Sequence, residues 1–351
     1  MRKYLVYLTA LLLAALLLSG CALSLGGGAA EPDPEAGELS RRYIESMDTF
    51  MTLSAYGSDR EAALDAAEAE IVRLDALLSI SSESGEVYAV NRDGGGELSA
   101  DAAAIVSRAL ELYEATGGDF DITVSPLMEL WGFYDKDYRV PTEGELEAAL
   151  LKVGAEQLRF DASTGRLSLG AGQAIDLGGI AKGYASQRLV DIWREMGLTS
   201  GLVSLGGNIQ CLGAKPDGSP WRVGIRDPED AAGIAAVAEI VDQAVITSGG
   251  YERFFTDGET GAKYQHILDP HTGYPVDGDL ASVSVITGDG TLGDGLSTAL
   301  YIMGLEEACA YWRQHSGEFQ AIFITVEGEI YITAGLVGSV SSQRELRPVE
   351  K

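Results

Sequence analysis

The chain has 351 residues, with 53 acidic and 25 basic side chains, so its formal net charge at pH 7 is −28. Nucleic-acid binding depends on lysine and arginine neutralising phosphate charge, so no nucleic-acid partner is expected for such an acidic protein. Its hydrophobic fraction of 46% is typical of globular proteins and argues against a disordered chain.

The first forty residues have the pattern of an export and anchoring segment. A short basic start precedes an apolar run over residues 4–18, which is short for a membrane span. The sequence Leu-Ser-Gly-Cys that ends at Cys21 resembles a bacterial lipobox, which implies removal of a signal peptide, residues 1–20, and lipidation of Cys21. An uncleaved anchor helix is the alternative. Residues 21–40 are predicted to be a flexible tether, so the protein is expected on the extracytoplasmic face of the cell membrane.

Predicted helices dominate the first half of the remaining chain and predicted strands the second half. Apolar periodicity and capping signals, including the capping boxes Ser58/Glu61 and Thr142/Glu145 and a start signal at Ser99, predict helices over residues 58–79, 101–116, 181–196, 294–303 and 305–314, with a short one from Thr142. Strands are predicted over residues 202–205, 221–225, 236–247, 281–287, 320–326 and 330–333.

This uneven order indicates an α+β fold, because a doubly wound sheet would alternate helices and strands more regularly. The expected catalytic domain spans residues 41–340, followed by a tail over residues 341–351. Since this length approaches the limit for one hydrophobic core, the domain is expected to have two lobes, with mixed or antiparallel sheets, flanking helices and a cleft between the lobes.

A glycine motif near the C-terminus raises the question of dinucleotide binding. Gly288, Gly290 and Gly293 match the dinucleotide fingerprint, but little chain follows to build a parallel βαβ array. Asp294 would also repel a bare phosphate. A divalent cation between Asp294 and the phosphate would turn this repulsion into attraction. Asp294 and Thr298 also place two hard oxygen ligands on one helix face. An N-capping Asp294 and a solvent-facing Thr298 are the alternative.

Two further segments carry candidate catalytic groups. Lys182 follows a double glycine at the start of a predicted helix and suits a phosphate contact, although a surface lysine after a glycine turn is equally consistent. His266 precedes an Asp-Pro pair in a rigid loop that can aim its imidazole as a general base or phosphate contact. Pro270 excludes a helical zinc motif there.

Other features are predicted to be structural. The aromatic-rich stretch over residues 120–133 is predicted to be core, with a ring-binding pocket as the weaker alternative. Cys211 and Cys309 lie in apolar segments, so they either pair or remain buried free thiols.

Seven segments, taken in order, resemble the ApbE-type flavin transferases, the FAD:protein FMN transferases of bacterial envelopes. The matching motifs cover residues 47–49, 120–127, 177–184, 204–208, 247–249, 266–273 and 294–299. The resemblance runs from about residue 47 to residue 335, most of the mature chain. It implies an enzyme that binds FAD in a cleft with Mg²⁺ and moves the FMN half onto a threonine hydroxyl of a partner protein, releasing AMP.

The resemblance also implies residue roles. The Mg²⁺ ion would be held by the carbonyl of Ala181 and by Asp294 and Thr298, and His266 would lie at the reacting phosphate as base or charge stabiliser. FAD would contact Met47, Asp121, Asp176, Lys182, Ser248 and His266. This chain departs from the family pattern at Asp48, Asn208 and Gly250.

The partners implied are acceptor proteins of envelope electron-transfer complexes. Two other functions remain open from sequence alone. Water in place of the threonine would make the protein an FAD pyrophosphatase that yields FMN and AMP, and loss of chemistry would leave a flavin-binding lipoprotein.

Overall fold

The structure, a computed structural model, describes residues 37–351. Cys21, the signal peptide and most of the tether lie outside this range. Within the described range, no helix is long and apolar enough to cross a membrane.

Seven helices and seventeen strands are found in the described residues. The helices are α1 (Arg60–Leu78), α2 (Glu86–Asp93), α3 (Ala100–Ala115), α4 (Ser125–Leu130), α5 (Glu143–Leu150), α6 (Ala181–Glu195) and α7 (Gly290–His315). The strands of the first half are β1 (Leu39–Ser46), β2 (Thr49–Tyr56), β3 (Gly95–Glu97), β4 (Arg159–Asp161), β5 (Arg166–Ser168), β6 (Gly201–Leu205), β7 (Asn208–Leu212) and β8 (Trp221–Arg226). Those of the second half are β9 (Ile234–Ile240), β10 (Ala244–Gly249), β11 (Phe254–Thr256), β12 (Lys263–Gln265), β13 (Leu280–Thr287), β14 (Gln320–Thr325), β15 (Ile330–Thr333), β16 (Val340–Ser341) and β17 (Leu346–Val349).

A nine-stranded mixed sheet organises the fold, with the strand order β1-β2-β6-β7-β10-β13-β14-β15-β17. Its neighbouring strands are antiparallel except for the parallel pair β15 and β17. Two three-stranded sheets, β16-β9-β8 and β3-β5-β4, and the hairpin β11-β12 complete the topology. The predicted α+β class is confirmed.

Both faces of the middle of this sheet are buried. Val285 and Phe323 pack into a core shared with helices α1, α3, α6 and α7, whereas the next residues along the strands, Ile286 and Ile324, pack into a core shared with β8 and β9. Because successive side chains of a strand point to opposite faces, such a strand is apolar at nearly every position. This accounts for the continuous apolar runs of β13 and β14.

Most helix limits follow the sequence signals. Ser99 caps α3 by accepting from the Ala102 N–H, and Thr142 caps α5 in a complete capping box. The first helix differs, since its N-cap residue is Asp59, one position after the predicted Ser58. The two helices predicted around residue 304 form α7, which is broken at Gly304, with φ of 77°, and starts at Gly290.

One predicted strand is wrong. The apolar run over residues 236–247 forms two strands in different sheets, β9 and β10, because Asp242 adopts a left-handed turn conformation, with φ of 52°, between them. The turn itself is polar, at Asp242 and Gln243, but apolar residues flank it closely on both sides, so the sequence pattern predicts one strand.

Two edge strands lie outside the predicted elements. Leu39 and Ser40, assigned to the tether, begin β1, and the segment over residues 341–351 contains β17. The turn between β1 and β2 consists of Met47 and Asp48, both with positive φ. Such two-residue turns usually contain glycine or asparagine, so this hairpin carries no strong sequence signal.

Candidate active site

The site is built where helices α6 and α7 touch near their N-terminal ends. The backbone N–H of Gly183 donates to Asp294 Oδ2 at 2.7 Å. A Cβ at Gly183 would lie 2.5 Å from the Asp294 Cβ and would also collide with the Gly290 carbonyl. Only glycine permits this approach, so the Gly183 backbone fixes the position of the Asp294 carboxylate.

The glycines of the candidate dinucleotide motif serve helix packing. A side chain at Gly290 would collide with Gln210, and one at Gly293 would press on Ile246 at 3.1 Å. The preceding strand β13 is antiparallel to both of its neighbours. The motif therefore does not open a parallel βαβ unit, in agreement with the sequence argument.

Asp294 is a buried carboxylate, 5% exposed. Burial raises its pKa, while the charge of Lys182, the Gly183 amide and the neighbouring Asn208 side chain act in the opposite direction. Asn208 is also buried, and within the described residues its Nδ2 has no hydrogen bond of standard geometry. A bound cation would offset the cost of burying the Asp294 charge.

Hydroxyl groups continue the site along α7. Ser248, at the end of β10, lies 3.2 Å from Thr298 Oγ1 and 2.8 Å from Ser297 Oγ. Ser297 in turn donates to the Asp294 carbonyl at 2.9 Å. The residue that caps α7 is Asp289, which accepts from the Leu292 N–H at 3.0 Å. The alternative that Asp294 is an N-cap is therefore wrong.

These groups fit a hard cation. Asp294 and Thr298 offer carboxylate and hydroxyl oxygens, and Ala181, buried as the first residue of α6, lies two residues before the Gly183 contact. Mg²⁺ prefers such oxygen donors and takes few protein ligands. Clusters of three or more His, Cys, Asp or Glu suited to a metal are absent from residues 37–351. Metal binding here would therefore combine one carboxylate with neutral oxygens.

His266 follows strand β12 and is held by its backbone and its ring. Its N–H donates to the Arg253 carbonyl at 3.0 Å, and its Nδ1 lies 3.1 Å from the same oxygen. Since a carbonyl only accepts, this contact assigns the proton to Nδ1 and leaves Nε2 as an acceptor. Burial, with the charges of Arg253 and Lys182, lowers the pKa of His266 to about 4, so the ring is neutral at pH 7.

Lys182 connects the two halves of the site. Its Nζ lies 3.3 Å from the Gly178 carbonyl, and its charge lowers the pKa of both Asp294 and His266. Within the described residues no ion pair involves Lys182. A positive charge that is near both groups but engaged in no ion pair within 4 Å is suited to an anionic ligand.

Two predicted FAD contacts are engaged with the chain itself. Asp176 accepts from the Gly178 N–H at 2.7 Å and from the Tyr134 hydroxyl at 2.8 Å. Asp121, 6% exposed, accepts from both the N–H and the hydroxyl of Thr123 at 2.7 Å. Both carboxylates hold loops around the site, and their contact with a nucleotide stays a prediction.

Met47 lies at the same end of the large sheet as Asn208. Its turn joins β1 to β2, and a side chain at Gly206, in the next hairpin turn, would collide with Thr49. The Met47 N–H donates to Asp75 Oδ2 at 3.1 Å. The structure therefore brings this turn beside the turn that precedes Asn208.

Three contributors were absent from the sequence-based site. Asn208 belongs to a motif that carries the family resemblance, which was the available signal. The Gly183 amide and Arg253 carry no local signal, because one acts through its backbone and the other through strand pairing.

Cys211 and Cys309 are buried free thiols, so the disulfide alternative is wrong. Burial also raises the pKa of Cys211 to about 11.

Comparison with known proteins places this arrangement in a family. The ApbE family model matches residues 47–323. The chain is 32% identical to a Treponema pallidum protein named FAD:protein FMN transferase, over 86% of this chain and 89% of the relative, and 30% identical to one from Escherichia coli K12, over 92% and 93%.

Solved structures agree. The ApbE protein of Thermotoga maritima superposes with a TM-score of 0.80 at 30% identity, covering 88% of this chain and all of that one. The flavin transferase ApbE of Vibrio cholerae gives a TM-score of 0.76 at 27% identity, covering 86% and 98%. Motif order, fold and sequence similarity over most of the chain together show that this protein belongs to the ApbE family.

Proposed function

We propose that this protein is an FAD:protein FMN transferase that uses Mg²⁺ and transfers the FMN half of FAD to a threonine hydroxyl of a partner protein, releasing AMP. The observation that carries the proposal is the convergence of buried Asp294, unpaired Lys182 and neutral His266 at one place. The names of the relatives support the use of FAD and of a protein acceptor.

Asp294, Thr298 and the Ala181 carbonyl would hold the metal ion. When bound, Mg²⁺ supplies positive charge that neutralises pyrophosphate oxygens. The protein's own contribution is to fix these oxygens: the Gly183 N–H holds the Asp294 carboxylate, and Ser248 lies beside the Thr298 hydroxyl.

His266 is suited to accept the proton of the acceptor hydroxyl. Its Nδ1 proton is directed to the Arg253 carbonyl, so Nε2 presents a lone pair. As the threonine oxygen bonds to the FMN phosphorus and the bond to the AMP phosphate oxygen breaks, the hydroxyl proton passes to Nε2. Lys182 offers its charge to the phosphate oxygens while negative charge shifts toward AMP.

Anchoring is proposed on sequence grounds alone. The lipobox-like residues before Cys21 support a lipid anchor on the extracytoplasmic face, where acceptors would be subunits of envelope electron-transfer complexes. Palmitate labelling of the expressed protein, lost in Cys21→Ala, tests this proposal. Labelling that persists in the variant would contradict it.

The function is tested by incubating the protein with FAD and Mg²⁺, with and without a threonine-bearing acceptor, and measuring AMP and acceptor mass together. We expect AMP only with the acceptor, together with a mass increase that disappears when its threonine is changed to alanine. Asp294→Asn should reduce the rate by at least about a hundredfold, whereas Asp289→Asn, which alters the cap of α7 and its ion pair with Arg108, should retain most activity.

The outcomes separate the alternatives. Equal AMP with and without acceptor, and an unmodified acceptor, would identify an FAD pyrophosphatase. If FAD binds but no AMP appears with acceptors from several envelope complexes, the protein is a flavin-binding protein without this chemistry.

A further inference from the structure

Arg253 and His266 face each other across the open end of the β11–β12 hairpin. In this hairpin Phe254 pairs with Gln265, and the bond from the His266 N–H to the Arg253 carbonyl extends the same register by one pair. Directly opposed residues in an antiparallel pair project to the same face, with Cβ atoms about 5 Å apart. The Arg253 side chain therefore projects from the same face of the hairpin as the His266 ring.

The aromatic cluster supports this face of the hairpin. We use this name for the mutually packed rings Trp131, Phe133, Tyr138, Phe255, Tyr264 and Tyr274. Phe255 and Tyr264 are the next pair on the face that carries Arg253 and His266, and the Arg253 guanidinium lies 5.7 Å from the centroid of the buried Phe133 ring. The guanidinium therefore lies over a buried aromatic ring, within the range of a cation–π interaction.

No carboxylate neutralises Arg253. Within residues 37–351 its guanidinium takes part in no ion pair, although acidic side chains outnumber basic ones by 53 to 25. Lys182, the second cation close enough to lower the pKa of His266, also has no acidic partner in this range. Two unpaired cations beside a neutral imidazole make a local positive field in a strongly acidic protein.

We infer that Arg253 is a further substrate-binding residue, whose guanidinium binds a phosphate oxygen of the dinucleotide beside His266. This inference rests on the proposed function and adds a residue to it. Arginine suits the role because its planar fork donates two parallel hydrogen bonds to a phosphate, whereas lysine acts as a point charge. Stacking on Phe133 reduces the freedom that the side chain loses on binding.

Dissociation constants measured with the purified full-length protein test the inference without any transfer reaction. The ligands are FAD, inorganic pyrophosphate and riboflavin, which has no phosphate. Arg253→Met should weaken the affinity for FAD and for pyrophosphate by about tenfold or more, as expected for loss of a charge-assisted hydrogen bond. Riboflavin affinity should not change. Arg253→Lys should give an intermediate loss and serves if the methionine variant does not fold.

Lys263→Met is the matched control. Lys263 is on the same hairpin and lies over the Phe254 ring at 4.7 Å. Lys263 and its strand partner Thr256 belong to the face of the hairpin opposite His266. Its removal takes away the same charge and should leave all three constants within about twofold.

The results distinguish the two proposals. If the Arg253 variants bind FAD and pyrophosphate as tightly as wild type does, the inference is wrong while the function stands. If their affinity for riboflavin falls as much as their affinity for FAD, Arg253 is structural and the inference is equally wrong. If wild type binds neither FAD nor pyrophosphate, the proposed function itself fails, and the inference with it.

Discussion

His266 shows how one residue acquires chemistry from its surroundings. Its ordinary pKa would leave part of the ring charged at neutral pH, but burial and two nearby cations lower the pKa to about 4. The carbonyl of Arg253 then selects the tautomer. A neutral ring with a free Nε2 is the form that a general base requires.

The same pKa predicts a stability effect. Because the folded-state pKa of His266 is below its ordinary value, the unfolded chain binds the proton first as pH falls, so this contribution to stability is complete above about pH 6.5 and is lost toward pH 4. Between pH 7 and pH 5 the free energy of unfolding should fall by about 2 kcal/mol more in wild type than in His266→Gln. Urea denaturation at both pH values measures this difference.

Equal pH dependence of wild type and His266→Gln would show that the ring is not buried in its neutral form.

At the level of elements, the contact between α6 and α7 determines the geometry of the site. These helices meet backbone to backbone at Gly183 and Gly290, and a polar network supports the contact: Ser186 donates to Gln210 at 2.8 Å, and the Gly290 N–H donates to Gln187 at 3.1 Å. Because the helices are this close, Asp294 can reach a backbone amide of α6.

Gly183→Ala tests this contact. The added Cβ meets a backbone carbonyl and the Asp294 Cβ, neither of which can move freely, so the helices must separate. We expect a loss of about 1–3 kcal/mol in the free energy of unfolding. The affinity for Mn²⁺, used as a probe of the Mg²⁺ site in electron paramagnetic resonance, should also weaken.

Gly144→Ala is the corresponding control in α5, where a Cβ meets nothing within 4 Å. It should be neutral or stabilise the protein by up to about 1 kcal/mol, since alanine is the better helix former. Similar effects of both substitutions would contradict the proposed helix contact.

The whole molecule carries a large excess of negative charge, yet its site contains unpaired cations. A net charge of −28 opposes compaction through self-repulsion. The cations beside His266 then form a local exception that would favour an anionic substrate. The predicted absence of nucleic-acid binding and the proposed binding of a dinucleotide are compatible, because one depends on the charge of the overall surface and the other on a few groups at the site.

Self-repulsion predicts a response to salt. Raising NaCl from about 0.01 M to 0.15 M shortens the screening length from about 30 Å to 8 Å, so repulsion between surface carboxylates weakens. The melting temperature should rise by about 2 °C or more. Differential scanning calorimetry checks this, with an uncharged osmolyte at equal osmolality as control. A fall in melting temperature would mean that surface ion pairs outweigh the net repulsion.

The sequence by itself determined the local features of this protein. Caps at Ser99 and Thr142, most helix limits and the i,i+4 relation of Asp294 and Thr298 depend on residues within a few positions, so local rules predicted them. The ordered motifs also indicated the family, which the comparisons confirm. Family resemblance, unlike periodicity, already contains information about tertiary structure.

Only the tertiary structure decided the long-range pairs. Gly183 and Asp294 are 111 residues apart, Arg253 reaches His266 through strand register, and β17 joins the large sheet by pairing with β15. Such contacts depend on which faces are buried together, and no local pattern encodes that choice because many pairings bury similar apolar area.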